Sequence, residues 1–439
     1  MAVKPRKPLV PPPPPRVRRF ALPIKAGLTV LVLVALGWAG YTFLYLDWRA
    51  DRALESARQA SRESEYDTAR DHLKTLLRFR PKSAEGYFLL ARVGRQSDDL
   101  AAARKHLAEA KKLGWPRDDL DLEEHLIEAQ ESGPRGANEK ALQALVLARH
   151  PAERVVLEAL AKGYVNAHLP VSAEKWLSIW IGRFPEDWLP HLLRGEIMAG
   201  FNSAAEARGE YLRVLELRPG HPAALQRLGQ LELNANRNPE AAAGYFATLL
   251  EVRPDDPDGL FGQAECRRIG GDAAGARGSL DRLLARDPDH SLGRLVYAEL
   301  EADAGRSEEA LASARRAAVS LPDETEYHYR LGALFNRFGK SEEAVPHSAR
   351  AAQLTEAYRK TSEWTTQLLQ DPSNADLRCF IGEELLRLGR DETGVAWLSS
   401  ALLEKPDHRP SHRALAAHYR KIGDAGRADS HRRLAEVEK

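Results

Sequence analysis

Four histidines near the carboxyl end, His408, His412, His418 and His431, and two cysteines, Cys266 and Cys379, are the side chains best suited to hold a metal. A closed zinc site needs four imidazole, thiolate or carboxylate donors, and no Cys or well-spaced carboxylate completes this histidine group. Neither cysteine belongs to a CxxC or CxxCH pattern, so zinc ribbons and covalent haem are not indicated. DDPD at 255–258 offers carboxylates, but it lacks the twelve-residue loop and closing Glu of a calcium hand. GGDAAG at 270–275 resembles a phosphate loop only superficially, since no Lys follows it. Walker A, HExxH and GxSxG patterns are absent. No catalytic residue, no metal site and no cofactor is expected. A last constellation is aromatic: Trp176, Trp180, Phe184 and Trp188 at four-residue spacing read either as helix–helix core or as an exposed partner patch.

The elements that would carry these residues are periodic. Prolines fall at 81, 116, 151, 185, 219, 254, 288 and 322, at intervals of 34 or 35 residues, and again at 372 and 406. A fixed period of this length means stacked copies of one supersecondary unit. Ten residues after the prolines stand small residues such as Ala161, Gly195, Gly229, Ala264, Ala298 and Gly332. About twelve residues further on stand Ala173, Ala207, Ala242, Ala276, Ala310 and Ala344. Two helices approach closely only where side chains are small, and the Leu, Tyr and Phe residues between them fill the gaps. Gly270-Gly271, Gly305, Gly339, Gly389 and Gly423 are placed to end the first helix of each unit. Asp255, Asp256, Asp258, Asp287 and Asp289 sit where caps belong. Cys266 and Cys379 then fall in first helices three units apart, too far for a disulfide, and read as small buried residues.

On these residues the chain resembles the tetratricopeptide repeat family, whose helix–turn–helix unit is 34 residues long. The resemblance covers roughly residues 51–439. It implies an all-α fold, a right-handed α-solenoid superhelix of about eleven helical hairpins, with nine units over 51–358 and two over 375–439. The third unit is degenerate, with Leu126 at a small position and the loop GPRGAN at 133–138. The interval from Pro322 to Pro372 is 50 residues, so 359–374 either lengthens a second helix or adds one. By the family's register, first-helix residues facing the concave groove are Gln230, Asn234, Glu265, Arg268, Glu299, Asp303, Asn336, Arg337, Glu383 and Arg387. Such a surface suits an extended peptide or a helix, held by hydrogen bonds and paired charges; ordinary solvated helix faces would look the same. The family's chaperone-tail clamp is not matched, since its places read Leu54, Phe88, Glu123 and Glu158.

The amino terminus differs. Residues 1–25 carry seven Lys or Arg, no acid and the run Pro11–Pro15, a basic solvated tail. The stretch 26–46 then has 21 residues without a charge, enough for about 30 Å of helix. It reads as a single transmembrane helix; a cleaved signal peptide is the alternative, though signal cores are shorter. Cations precede it, while Asp47, Arg49, Asp51 and Arg52 roughly cancel after it, which puts the amino terminus in the cytoplasm. The rest of the chain holds 57 basic and 63 acidic residues, a net −6 that argues against nucleic-acid binding. The sequence thus leads to a non-enzymatic scaffold for protein or peptide partners, anchored in a bacterial inner membrane with its repeats in the periplasm, assembling or organising an envelope complex. The alternative is a subunit of a polysaccharide export or secretion system that binds glycan or an enzyme. The partner and the oligomeric state are not encoded in any motif.

Overall fold

The structure, a computed structural model, describes residues 24–201 and 203–436; of residues 24–31, 36, 39, 42 and 43 it describes the backbone alone. The basic tail expected at 1–25 falls almost wholly outside the described residues. Every regular element is an α-helix, 22 among the described residues. They are α1 (Ile24–Arg62), α2 (Tyr66–Phe79), α3 (Ala84–Gln96), α4 (Leu100–Lys112), α5 (Arg117–Ser132), α6 (Gly136–Leu147), α7 (Glu153–Asn166) and α8 (Pro170–Arg183). There follow α9 (Leu189–Gly200), α10 (Ala204–Leu217), α11 (Pro222–Asn234), α12 (Pro239–Val252), α13 (Pro257–Ile269), α14 (Ala273–Arg286) and α15 (Ser291–Asp303). The last are α16 (Ser307–Ala318), α17 (Thr325–Arg337), α18 (Ser341–Gln370), α19 (Ala375–Arg387), α20 (Asp391–Glu404), α21 (Arg409–Lys421) and α22 (Ala425–Glu436).

Two compact units form, Met1–Glu124 and His125–Lys439. In the first, the distal part of α1 presents Ala50, Ala53, Ala57 and Ala60, an i, i+3, i+4 stripe of methyls buried against Leu73 and Leu76 of α2 and Leu90 of α3. The segment 26–46 lies in the other part of α1, where many side chains fall outside the described residues. Among the described residues no helix is long and apolar enough to cross a membrane. Near the end of this unit the carboxylate of Glu123 is buried with Arg95, whose Nε donates to it at 2.6 Å.

In the second unit α7–α8, α9–α10 and each later consecutive pair pack as antiparallel hairpins. The sequence dictates their close approach. A Cβ added at Gly262 would stand 2.3 Å from Phe246 Cζ, and one at Gly229 2.7 Å from the same atom. Phe246 of α12 therefore fills a slot open only to glycine on both neighbouring first helices. The turn after each first helix needs a left-handed residue. Gly271, Gly305, Gly339, Gly389 and Gly423 supply it at φ 67–82°, while Ser64, Asp98, His168 and Arg237 occupy the equivalent place at φ 54–62° despite their side chains. The GGDAAG motif is such a turn: Gly271 is left-handed and Asp272 accepts from the Gly275 N–H at 2.8 Å, capping α14. In DDPD, Asp256 caps α13 by accepting from Gly259 N–H at 3.0 Å, and Asp255 pairs with Arg282.

A contact between residues i and i+19 recurs in five of these hairpins. His191 Nδ1 meets Glu210 at 2.6 Å, Ser313 Oγ donates to the Arg294 carbonyl at 2.9 Å, and Arg378 lies over the Trp397 ring at 6.0 Å. His328 and His347, and His412 and His431, meet through Nδ1 atoms 3.0 and 2.9 Å apart. His412 Nε2–H donates to the Pro406 carbonyl at 3.0 Å, so its Nδ1 accepts and His431 Nδ1–H donates. The histidines near the carboxyl end are thus absorbed into packing. His408 caps α21, its Nδ1 accepting from Ser411. No group of three or more His, Cys, Asp or Glu that could hold a metal occurs among the described residues. Trp176 and Trp180 are core residues, with Trp180 Nε1 donating to Asp187 at 3.0 Å, and Trp188 packs on the His221 ring.

The candidate groove on the first helices

First helices α11, α13, α15 and α17 lie side by side, while α19 is not packed on α17 to the same extent. The difference comes from α18, which runs for 30 residues to Gln370. Its distal part carries Tyr358 to a cavity of about 870 Å³ that is also lined by Glu196 of α9 and Arg227, Gln230 and Asn234 of α11. A second cavity, of about 380 Å³, shares Gln230 and Asn234 and adds Asp258, Phe261, Glu265 and Arg268 of α13. Arg237, Tyr327 and Arg330 also face it. The two spaces therefore meet along one face of α11.

The charges here are mostly engaged with one another. Arg330 Nη2 lies 2.7 Å from Glu265 and 2.6 Å from Glu299, and its Nε donates to Glu299 at 2.8 Å. Arg268 pairs with Glu265 at 2.9 Å and approaches Glu299 at 3.5 Å. Two arginines and two carboxylates from three helices thus form one network, with Glu265 only 4% exposed. Burial works against the Arg330 charge, but hydrogen bonds and charges from Glu299 and Glu265 outweigh it and raise its pKa. Planar guanidinium groups suit such shared, forked contacts.

Of the residues the sequence singled out, Gln230, Asn234, Glu265 and Arg268 come together around the smaller cavity. Glu299 joins them through Arg330. Asp303 pairs with Arg337 at 2.7 Å between α15 and α17, and Asn336 is exposed beside it on α17. Glu383 and Arg387 lie on α19, beyond α18; Glu383 is exposed and Arg387 pairs with Glu384. Sequence reasoning missed Arg330, Asp258, Tyr327 and Tyr358. Arg330 was findable, since it lies two helical turns before Arg337 on the same helix. Tyr358 was not, because its approach to α11 depends on how far α18 continues.

This face consists of amides, aromatic rings and a few charges bordering open space. It can make hydrogen bonds and pack against side chains, and it presents no nucleophile with a base. Residues 52–118, 227–291 and 295–360 match the family described as tetratricopeptide repeat. These segments of the chain carry tetratricopeptide repeats. Scaffolds of this family bind peptides and proteins and are generally not enzymes. No protein with a curated description matches the chain. Among solved structures it is similar to PilW, a widely conserved type IV pilus biogenesis factor, at 17% identity over 45% of this chain and 91% of that one, with a TM-score of 0.39. It is similar to YrrB, a TPR protein with an unusual peptide-binding site, at 17% identity over 40% of this chain and 91% of that one, TM-score 0.30. A tetratricopeptide repeat protein from Parabacteroides merdae shares 14% identity over 66% of this chain and 100% of its own, TM-score 0.35.

Proposed function

We propose that this chain is a non-enzymatic scaffold that holds a segment of a protein partner along the first-helix face of α9–α17. The observation that carries the reading is the pair of cavities meeting at Gln230 and Asn234, bordered by amide, guanidinium and aromatic groups. Extended chains are held by such surfaces through backbone hydrogen bonds to amides and side-chain pockets beside rings. Within the second unit the repeats wind as a right-handed superhelix, with 359–370 lengthening one second helix. The uncharged stretch 26–46, with seven cations before it, supports an anchor in a bacterial inner membrane, the tail cytoplasmic and the repeats extracytoplasmic. On that side of the membrane the scaffold would organise an envelope complex.

A photo-cross-linking residue placed at Asn234 in the full chain, in living cells, tests the groove. The expected result is a discrete protein adduct that is missing when the same residue replaces Val319, which is 85% exposed at the C-cap of α16. Equal adducts from both sites, or none from Asn234, would sink it. Protease added to spheroplasts tests topology: digestion of the repeats is expected, and protection would reverse the orientation.

A further inference from the structure

Residues more than two hundred positions apart touch within the second unit. Arg378 of α19 donates from Nη1 to the His168 carbonyl at 2.7 Å. The His168 ring stacks on Trp397 of α20, centroids 4.7 Å apart and planes 11° from parallel. Pro170, Val171, Leu368 and Pro372 close around the same point, leaving a void of only about 10 Å³. The repeats between α7 and α20 therefore come back on themselves.

The contact has the marks of one that opens. The α7–α8 turn presents the His168 carbonyl from a left-handed backbone at φ 54°, which a histidine holds at a cost. Arg378 is 2% exposed, yet its Nε has no hydrogen-bond partner, so closure leaves a buried donor unmatched. Beside the tight part a cleft of about 340 Å³, lined by Val165, Ile197, Phe201, Thr365 and Trp397, opens to solvent and gives water a way to the contact. Permanent interfaces satisfy their polar atoms.

We propose that the α7–α8 turn and the α19–α20 hairpin form a releasable clasp that closes the second unit on itself and limits what can reach its first-helix face. Closed, the clasp admits a single chain segment; open, it admits a bulkier partner. Glu196 lines both the clasp space and the groove cavity at Tyr358, so the two adjoin at that side chain. The clasp is measured without any partner, so it and the groove reading can fail separately.

Hydrogen exchange on the full chain provides the test. In the unaltered protein, amides of 165–171 and 368–378 are expected to exchange faster than those in the middle of α11–α14; equal protection would overturn the proposal. His168→Gly removes the stacked ring while suiting the left-handed turn, so the fold survives. It should speed exchange at 368–378 by roughly fivefold, the value of one aromatic stack, with unchanged helix content. Asp98→Gly, at the equivalent turn with φ 62° in the first unit, controls for the backbone effect and should leave 368–378 unchanged. Unchanged exchange at 368–378 in His168→Gly, or the same change in Asp98→Gly, would mean that no releasable contact exists there.

Discussion

Replacing Arg330 by Met removes the hub that joins α13, α15 and α17 while keeping most of the side chain's volume. Three charge-assisted contacts vanish: two to Glu299, at 2.6 and 2.8 Å, and one to Glu265, at 2.7 Å. Glu265, almost fully buried, keeps only Arg268. Breaking a buried ion pair by deleting one partner costs about 3–5 kcal/mol, because the remaining charge stays desolvated. Arg268 compensates in part, so about 3 kcal/mol is expected. Stability in stacked repeats is local, and a single unfolding midpoint would blur the effect. Hydrogen exchange resolves it by helix: 3 kcal/mol corresponds to roughly a hundredfold faster exchange in α13 and α17, with α21 unaffected. Glu265→Gln added to Arg330→Met should recover part of the loss, since no carboxylate is then stranded. A change under about threefold, at equal helix content, would refute the reasoning, because it would mean that water already solvates these charges as it does surface pairs.

Gly262→Ala should cost about 1–3 kcal/mol by driving a methyl into Phe246, whereas Gly244→Ala, with nothing within 4 Å, should stabilise slightly; thermal unfolding of both variants checks the sign. His221 caps α11 as a neutral acceptor for the Ala224 N–H, and burial, reinforced by Arg218 and Arg253, holds its pKa down at about 4. An unfolded histidine titrates near 6.5, so the cap's contribution is present above that pH and is lost as pH falls toward 4. His221→Asn should keep the cap and remove that part of the acid sensitivity, read as the difference between the two stability–pH curves. Burial pushes the thiols of Cys266 and Cys379 up to about 11. Both should resist iodoacetamide at pH 8 in the folded protein and react within minutes in guanidinium.

Much of the architecture was legible because a repeat writes its packing rules many times over. The proline period marks the hairpin boundaries, and the small residues that follow it, Gly229 and Ala264 among them, lie where helices cross at close range. Gly271 and Gly305 mark turns that need a positive φ. The candidate site was legible only as a face. Register places Gln230, Asn234, Glu265 and Arg268 on one side of their helices, but it cannot show that Arg330 bridges Glu265 and Glu299, because such bonds depend on the spacing between helices. The histidines were the hardest to interpret. His221, His290 and His408 serve as caps through Nδ1, a place where Ser, Asp or Asn is the usual signal. The meeting of His168 with Arg378 and Trp397 was beyond reach, since it depends on small rotations accumulated over several repeats and on the length of α18.

The central claim is that the face of α11 and α13 holds a partner's chain segment. Isothermal titration of the full chain with a synthetic peptide, matching the segment cross-linked from position 234, tests it most directly. The account predicts saturable one-to-one binding, weakened at least about tenfold by Gln230→Ala with Asn234→Ala, the loss of two side-chain hydrogen bonds, and untouched by Val319→Ser. Equal affinity in the groove variant, or a loss in Val319→Ser alone, would contradict it.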